Sequence, residues 1–190
     1  MSTSQPIRNL DQVRALIDYY QERDNPRNHL FILMGIYTAL RVGDLLRITW
    51  RQVYDFTNSA PRTGITITEQ KTGKHKIIAL NERITNAVGL YAHTARADGY
   101  LFANENTGRA LSRAQAYRIV RVASESLGFE FHCSCHSLRK TFGYHAWKGG
   151  ASPIVIMEIF NHSSFAITKR YLGITQCDLN EVYLSLDFAV

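Results

Sequence analysis

The sequence predicts a mainly α-helical fold with a small antiparallel β-sheet, of the α+β class. Most apolar residues recur at the three- and four-residue spacing of a helix face, and the alternating pattern of β-strands is confined to residues 53–80. With 190 residues, of which 45% are hydrophobic, the chain can bury one sizeable core but is too short for two full domains. We therefore expect residues 1–190 to form a single domain.

The first two predicted helices belong to the core. Apolar side chains within residues 10–20 fall on one face at helical spacing. Residues 30–40 are apolar on all sides, which suits a buried helix that starts at Pro26, because proline is well tolerated at the first helical position.

The β insert reads as a hairpin. Residues 63–68 alternate β-branched and small side chains, and residues 76–80 form a second short apolar run. Between them lies the turn sequence Lys-Thr-Gly-Lys, residues 71–74. Residues 53–56 are a candidate third strand of the same sheet.

Helical patterns resume in the second half of the chain. Asn81 and Ser112 each precede such a pattern and are residue types that cap helix N-termini. Residues 138–146 have one apolar face, and Ser152 followed by Pro153 supplies a cap and a first helical position. We therefore expect several short helices in succession.

The last predicted helix begins at Asp178, with Glu181 three residues later as a capping-box partner. Its apolar stripe consists of Val182, Tyr183 and Leu186. We expect the tail, residues 178–190, to dock either on its own core or on a neighbouring protomer.

Charge and composition restrict the class of protein. The 22 basic and 16 acidic residues give a net charge of +6, which favours an anionic partner such as nucleic acid. No apolar stretch is long enough for a signal peptide or a membrane span, so we expect a cytoplasmic protein with no membrane partner. Three cysteines are an odd number and indicate reduced thiols. The His-Cys-Ser-Cys-His run at 132–136 lacks a second ligand pair, so we expect no metal site.

Three short segments carry residues that could surround one anion. They are T-A-L-R-V-G-D-L-L at 38–46, H-S-L-R at 136–139, and the stretch in which Tyr171 follows His162 by nine residues. An isolated H-x-x-R is more often a pair of solvated polar groups, although on a helix both side chains can reach one ligand. Arg41 alone could complement a helix C-terminus or pair with Asp44. The order of the three segments is therefore the informative feature.

In this order, and with a hairpin turn that carries Lys71, the segments resemble the tyrosine recombinase (phage integrase) family. The resemblance runs from about Thr38 to Leu172 and covers most of the chain. It implies the catalytic-domain fold of that family and a site-specific DNA recombinase or integrase that works through a 3′-phosphotyrosine intermediate. The residues matching the family's motifs are Arg41 and Arg139 as phosphate-clamping arginines, His136 and His162 as the two histidines, Lys71 as the hairpin lysine, and Tyr171 as the nucleophile.

The chemistry of these residue types agrees with the resemblance. A phenol has a pKa of about 10, so Tyr171 must be activated by its surroundings near neutral pH. Two guanidinium groups match the non-bridging oxygens of a phosphodiester, and a neutral His136 can accept the tyrosyl proton. His162 can donate to a phosphate oxygen or help position the tyrosine. We expect no metal ion or other cofactor, because the sequence has no Walker loop, dinucleotide fingerprint or suitable carboxylate cluster.

Several lysines compete for the role of general acid to the leaving 5′ oxygen. We prefer Lys71 because the family lysine directly precedes Thr-Gly, and Lys74 is its main rival. Lys76 and His75 are interpreted as backbone phosphate contacts or solvated turn residues. Three arginines along one predicted helix either face the duplex or form an ordinary exposed surface: Arg113, Arg118 and Arg121.

The chain departs from the family pattern in three respects. Asn161 replaces the glycine that usually precedes the second histidine, and asparagine is the next-best residue for a left-handed turn. Asp44 replaces the commoner glutamate and keeps its charge. We also expect the N-terminal core-DNA-binding domain of most relatives to be absent.

The implied partner is double-stranded DNA, with no small-molecule substrate. Recombination joins two duplexes at four active sites, so the resemblance implies a homotetramer on DNA and permits a monomer in its absence. Two alternatives remain. One is a type IB topoisomerase-like enzyme that relaxes supercoils without paired sites, and the other is a non-catalytic DNA-binding fragment or regulator.

Overall fold

The structure, a computed structural model that describes residues 4–187, is mainly helical with two small antiparallel sheets, which confirms the predicted fold class. The helices are α1 (Leu10–Gln21), α2 (Pro26–Tyr37), α3 (Val42–Leu45), α4 (Trp50–Val53), α5 (Glu82–Tyr91), α6 (Arg113–Ser126), α7 (Cys135–Lys148), α8 (Pro153–Phe160), α9 (Phe165–Leu172) and α10 (Gln176–Ser185). The strands are β1 (Tyr54–Asp55), β2 (Ala60–Pro61), β3 (Gly64–Thr68) and β4 (His75–Ala79). Within residues 4–187, every helix is too short or too polar to cross a membrane.

Helix α2 is the centre of the main hydrophobic core. The Asn25 side chain caps its N-terminus by accepting a backbone N–H, and Pro26 occupies the first helical position. Residues 30–36 are buried on all sides of the helix, and α1, α5 and α7 pack around it. The predicted buried helix is thus confirmed.

The end of α2 prepares the functional site. The helix stops at Tyr37 rather than at the predicted Leu40, because Ala39 adopts a left-handed φ of 56° that ends the helical path. The Ala39 carbonyl then accepts a hydrogen bond from Arg139 of α7. This early end therefore places a backbone acceptor beside α7.

Strands β3 and β4 form the predicted hairpin. Their antiparallel register pairs Gly64 with Ala79 and Thr68 with His75. Ile65 and Ile67 point into the main core, whereas the intervening threonines are exposed, as the alternating pattern predicts. Residues 69–74 close the hairpin, with Gly73 at a φ of 68°.

The predicted third strand is present, but its predicted place in the sheet of the hairpin is wrong. Residues 54–55 do form a strand, but it pairs with Ala60–Pro61 in a separate two-stranded sheet. The reason is a local turn, in which the Asp55 side chain accepts the backbone N–H groups of Thr57 and Asn58. The chain therefore folds back on itself before it can join the longer hairpin.

Helix α7 connects the main core to the C-terminal helices. It packs against α2 on one side and against α8 and α9 on the other. A second cluster of buried side chains lies there, formed by Ala39, Ile156, Phe160 and Leu172. Gly143 permits this close packing, because a Cβ at its position would lie 2.7 Å from the Phe160 ring. The predicted caps at Asn81, Ser112 and Ser152 are all confirmed.

Helix α10 begins two residues earlier than predicted. Thr175 is its cap and Asp178 the capping-box partner, because the Asp178 carboxylate accepts the Thr175 backbone N–H at 2.7 Å. Glu181 instead pairs with Lys148 of α7. The apolar stripe does not dock on its own core, since Val182 and Tyr183 are 56% and 75% exposed. Residues 188–190 of the predicted tail lie outside the described part of the chain.

Candidate active site

The six residues predicted to form a site come from five separate segments and meet in one place. Arg41 precedes α3, Lys71 lies in the β3–β4 turn, and His136 and Arg139 lie on α7. A cavity of about 420 Å³ is lined by these four residues and by Tyr171 of α9. The sixth residue, His162, lies in the α8–α9 loop with its ring 4.5 Å from the Tyr171 ring, centroid to centroid.

The C-terminus of α8 assembles the cations of the site. The last carbonyls of a helix have no intrahelical donor and carry partial negative charge, so they attract cationic donors. Arg139 Nη2 donates to the Phe160 carbonyl at 2.7 Å, and Arg41 Nη2 approaches the same oxygen at 3.4 Å. Lys76 donates to the neighbouring Ile159 carbonyl. Three positive side chains are thus held by two adjacent peptide groups.

Arg139 is an almost fully buried cation. It is 1% exposed, and burial, followed by the nearby Arg41, lowers the pKa of its guanidinium to about 10. Its two terminal nitrogens bond the carbonyls of Ala39 and Phe160. Its Nε is buried and has no partner among the described residues. A buried guanidinium with a vacant donor is suited to an anionic ligand.

Arg41 is held by a carboxylate that the sequence interpretation missed. Its Nη1 lies 3.0 Å from Oε2 of Glu69, in an ion pair that lacks hydrogen-bond alignment. Burial opposes ionisation of Glu69, but hydrogen bonds from Asn161 and Thr72, together with the positive charge of Arg41, outweigh it and hold the pKa of this carboxyl below its ordinary value. The available signal was an acidic residue two positions before Lys71, at the point where β3 has just ended.

Asp44 supports the hairpin rather than Arg41. Its Oδ1 accepts the backbone N–H of Gln70 at 2.9 Å, which fixes the start of the turn. The suggestion that it pairs with Arg41 is therefore wrong, because Glu69 takes that position.

Tyr171 lies between the two histidines. Its ring centroid is 4.8 Å from that of His136 and 4.5 Å from that of His162. Arg139 approaches the same ring, with its guanidinium carbon 5.7 Å from the centroid. Nδ1 of His162 lies 3.0 Å from the hydroxyl of buried Thr168, which orients the imidazole. The tyrosine is therefore surrounded by two imidazoles and a cation.

Both histidines are neutral near pH 7. Burial, with Lys140, Arg139 and Arg41 as further causes, lowers the pKa of His136 to about 4. Burial and the same two arginines likewise lower the pKa of His162 to about 4. A neutral imidazole has one nitrogen that can accept a proton and one that can donate. Each side of Tyr171 thus offers a proton acceptor and a hydrogen-bond donor.

The hairpin lysines have distinct environments. Lys71 is exposed at the edge of the cavity, whereas Lys74 donates to Asn161 Oδ1 at 3.0 Å. Lys76 is half-buried, and burial, with Arg139 as the next cause, lowers its pKa to about 8. Interpreting Lys76 as a solvated turn residue is therefore wrong. His75 is exposed, and its Nδ1 lies 3.0 Å from the Thr68 hydroxyl.

The three arginines of α6 have different surroundings. Arg113 lines the cavity beside Arg41 and Lys71, whereas Arg118 lines a separate pocket that includes Tyr20. Arg121 pairs with Glu125 at 2.5 Å. Arg113 is therefore the α6 arginine that lies next to the candidate site.

Comparison with known proteins points to one family. The chain matches the Phage integrase family over residues 9–176. It is 35% identical over 183 residues to the probable integrase/recombinase YoeC of Bacillus subtilis (strain 168), covering 96% of this chain and 97% of that one. It is 31% identical over 179 residues to tyrosine recombinase XerC of Pelobacter propionicus, covering 92% of this chain and 57% of that one. The chain thus spans a little over half the length of this XerC.

Solved structures show the same fold. The XerA recombinase superposes with a TM-score of 0.78 at 24% identity, over 96% of this chain and 65% of that one. The XerH site-specific recombinase, solved on its palindromic difH substrate after cleavage, superposes with a TM-score of 0.75 at 19% identity. That match covers 96% of this chain and 52% of XerH. At these identities the superpositions establish the fold.

Proposed function

Because this chain belongs to the phage integrase family of tyrosine-type site-specific recombinases, we propose that it cleaves and rejoins DNA strands through a 3′-phosphotyrosine intermediate formed on Tyr171. The observation that carries the proposal is the position of this tyrosine between two neutral histidines and beside the buried, partly vacant guanidinium of Arg139. Such a site suits a phosphodiester, which brings a negative charge and needs an activated nucleophile.

Arg41 and Arg139 form the phosphate clamp in this proposal. Arg139 Nε and Arg41 Nη1 are buried donors without an aligned partner among residues 4–187, and each can donate to a non-bridging phosphate oxygen. Negative charge grows on these oxygens as the phosphorus becomes five-coordinate. Donors already fixed by carbonyls and by Glu69 need little reorganisation, so they stabilise that charge efficiently.

One proton transfer accompanies formation of the bond between Tyr171 and phosphorus, and another accompanies cleavage of the bond between phosphorus and the 5′ oxygen. His136 accepts the proton of the Tyr171 hydroxyl as the phenolic oxygen bonds to phosphorus, and His162 donates its N–H to a phosphate oxygen. The bond from phosphorus to the 5′ oxygen breaks, and Lys71 gives that oxygen a proton. The products are a 3′-phosphotyrosine and a free 5′ hydroxyl. Attack by the 5′ hydroxyl of another strand reverses these steps and rejoins the DNA.

The partner in this proposal is double-stranded DNA, on which four copies assemble. The XerH and Tn1549 integrase structures that share this fold contain DNA. The exposed stripe of α10 is suited to contact a neighbouring copy, because its apolar side chains are uncovered in the single chain. We propose that residues 178–190 make that contact and that residues 1–190 act as one catalytic domain.

The test is formation of a covalent protein–DNA adduct. Nicked duplexes, in which the released fragment diffuses away and traps the intermediate, are tiled across the genomic region around the gene for this chain. We expect one site to give an adduct stable to detergent, and no adduct at any site would contradict the proposal. Relaxation of a supercoiled plasmid by a monomer, without paired sites, would instead support the topoisomerase alternative.

The pH dependence of cleavage tests the two histidines. At subsaturating DNA, the adduct rate should stay level as the pH falls below 7 and should drop only as it approaches 4, because both pKa values lie near 4 and protonation removes the acceptor. An unshifted histidine would lose activity around pH 6.5. Rates are measured between pH 8 and about 4.5, with circular dichroism confirming the fold. An apparent pKa near 6.5 would contradict the assignment.

The identity of the general acid is tested with a sulfur substitution in DNA. Lys71→Ala should slow cleavage of ordinary DNA by about a hundred- to ten-thousandfold, because the 5′ alkoxide is a poor leaving group. A substrate with sulfur at the bridging 5′ position releases a thiolate that needs no proton, so it should restore most of the rate. Lys74→Ala and Lys76→Ala are the matched controls. If the sulfur substrate restored the rate of the Lys76 variant and not that of the Lys71 variant, Lys76 would be the general acid. Its pKa of about 8 lies closer to neutral pH than the ordinary value of a lysine.

A further inference from the structure

The left-handed residue that ends α8 has a side chain with a specific set of partners. Asn161 has φ 50° and ψ 50°, a conformation that glycine adopts without steric cost. The backbone therefore gives no reason to prefer asparagine over glycine here. Any advantage of asparagine must come from its amide.

The amide of Asn161 bonds three residues of the hairpin turn. Its Nδ2 donates to Glu69 Oε2 at 2.7 Å and to Thr72 Oγ1 at 3.0 Å. Its Oδ1 accepts from Lys74 Nζ at 3.0 Å. These partners lie 87 to 92 residues away in the chain. One side chain thus connects the end of α8 to both ends and the middle of the turn.

Lys71 lies inside the segment that Asn161 holds. The turn is fixed on one side by Asp44, which accepts the Gln70 backbone N–H at 2.9 Å. On the other side of Lys71, the side-chain tie comes from Asn161, which bonds Thr72 and Lys74. Lys71 itself is exposed and forms no hydrogen bond or ion pair among the described residues. Its position over the cavity therefore depends on how firmly the turn is held.

We propose that Asn161 is a positioning residue for DNA cleavage, whose amide holds the hairpin turn so that Lys71 meets the leaving 5′ oxygen. The proposal rests on the proposed function, because it assigns the turn to the same reaction. The Lys76 bond to Ile159 anchors strand β4, and Asn161 adds the separate anchor of the turn itself. Glu69, which also pairs with Arg41, makes the clamp and the turn neighbours in one hydrogen-bonded network.

Asn161→Gly tests the proposal because it keeps the left-handed backbone and removes the side chain that carries the amide. We expect cleavage of ordinary nicked DNA to slow by about ten- to a hundredfold, the effect of a misplaced catalytic group. The melting temperature should fall by only a few degrees, because relief of the left-handed strain partly offsets the loss of the amide's hydrogen bonds, and the rates are compared at a temperature at which both proteins are folded. On DNA with bridging 5′ sulfur the variant should match the wild type, because that substrate does not need Lys71.

The cleavage rates of Asn161→Gly on the two substrates distinguish the possible outcomes. An unchanged rate on ordinary DNA would overturn the proposal, and so would equal slowing on both substrates, which would indicate a damaged clamp instead. A wild type that forms no adduct would refute the proposed function itself, whereas an active wild type with an equally active Asn161→Gly variant would refute only the role of Asn161.

Asn161→Asp adds a readout that a purely structural role would not move. The aspartate has the same shape and can still accept from Lys74, but it cannot donate to Glu69 while ionised. We expect slow cleavage at pH 8 and a rate that approaches that of the wild type as the pH falls toward about 5. The neighbouring Glu69 raises the pKa of the introduced carboxyl, so this group becomes protonated in that range and can again donate one hydrogen bond. A variant-to-wild-type ratio that does not change with pH would contradict the role of the donated hydrogen bonds.

Discussion

Tyr171→Phe is expected to abolish the covalent protein–DNA complex while leaving the fold and DNA binding intact. The substitution removes one oxygen atom, which in the proposed mechanism is the atom that bonds to phosphorus. The ring itself remains packed beside His136, His162 and Phe160. Because this ring packing is kept, loss of the hydroxyl should change the free energy of unfolding by less than about 1 kcal/mol.

The measurement is an adduct assay on nicked DNA, followed by peptide mass mapping of the wild-type product. The mapped nucleotide should lie on the peptide that contains Tyr171. Tyr100→Phe is the matched control, because Tyr100 is 38% exposed and lies away from the cavity lining. It should form the adduct at the wild-type rate in a cleavage assay. An adduct that persists in Tyr171→Phe, or that maps to another residue, would show that Tyr171 is not the nucleophile.

The sequence predicts most of the framework in which this tyrosine lies. Helix starts at Asn81 and Ser112 are readable because capping is a local interaction between residues three apart. The β3–β4 hairpin is readable because alternation and a Gly-containing turn are also local. The order of the motifs indicated a common site, and the structure brings all six residues together.

Features that depend on distant parts of the chain could not be predicted in the same way. Glu69 and Asn161 are 92 residues apart, and neither stands out until the hairpin folds against the end of α8. Lys76 resembled a solvated residue because it directly follows the polar turn that ends at His75, but the Ile159 carbonyl and two arginines define its environment. The partner of β1 was missed because a side-chain turn at Asp55 competes with extension of the sheet.

Arg139→Lys is expected to be the most damaging conservative substitution in the clamp. Lysine keeps the positive charge but has a single nitrogen, so it cannot bond Ala39, Phe160 and a phosphate oxygen in the planar arrangement of a guanidinium. We expect adduct formation to fall by about a hundred- to a thousandfold, the typical effect of losing one preorganised donor to the transition state.

The free energy of unfolding should also fall in Arg139→Lys, and this loss can be measured separately from the loss of cleavage rate. A carbonyl at the end of α2 or α8 loses its charged donor in Arg139→Lys, and this should cost about 1 to 3 kcal/mol of the free energy of unfolding. Urea unfolding measures that loss, and the adduct assay is then run at a temperature at which the variant remains folded. Arg121→Lys is the matched control, because Arg121 is partly exposed on α6 and pairs with Glu125. It should retain both stability and cleavage.

The ratio of the two losses identifies what Arg139 does. If this arginine only joined α2 to α8, Arg139→Lys would lower stability and leave the cleavage rate of the folded fraction unchanged. If Arg139 instead donates to the phosphate, Arg139→Lys should lower the cleavage rate even when every molecule is folded. Because Arg139 Nε is buried and without a partner among residues 4–187, we expect the second outcome. Wild-type cleavage by folded Arg139→Lys would remove this arginine from the clamp.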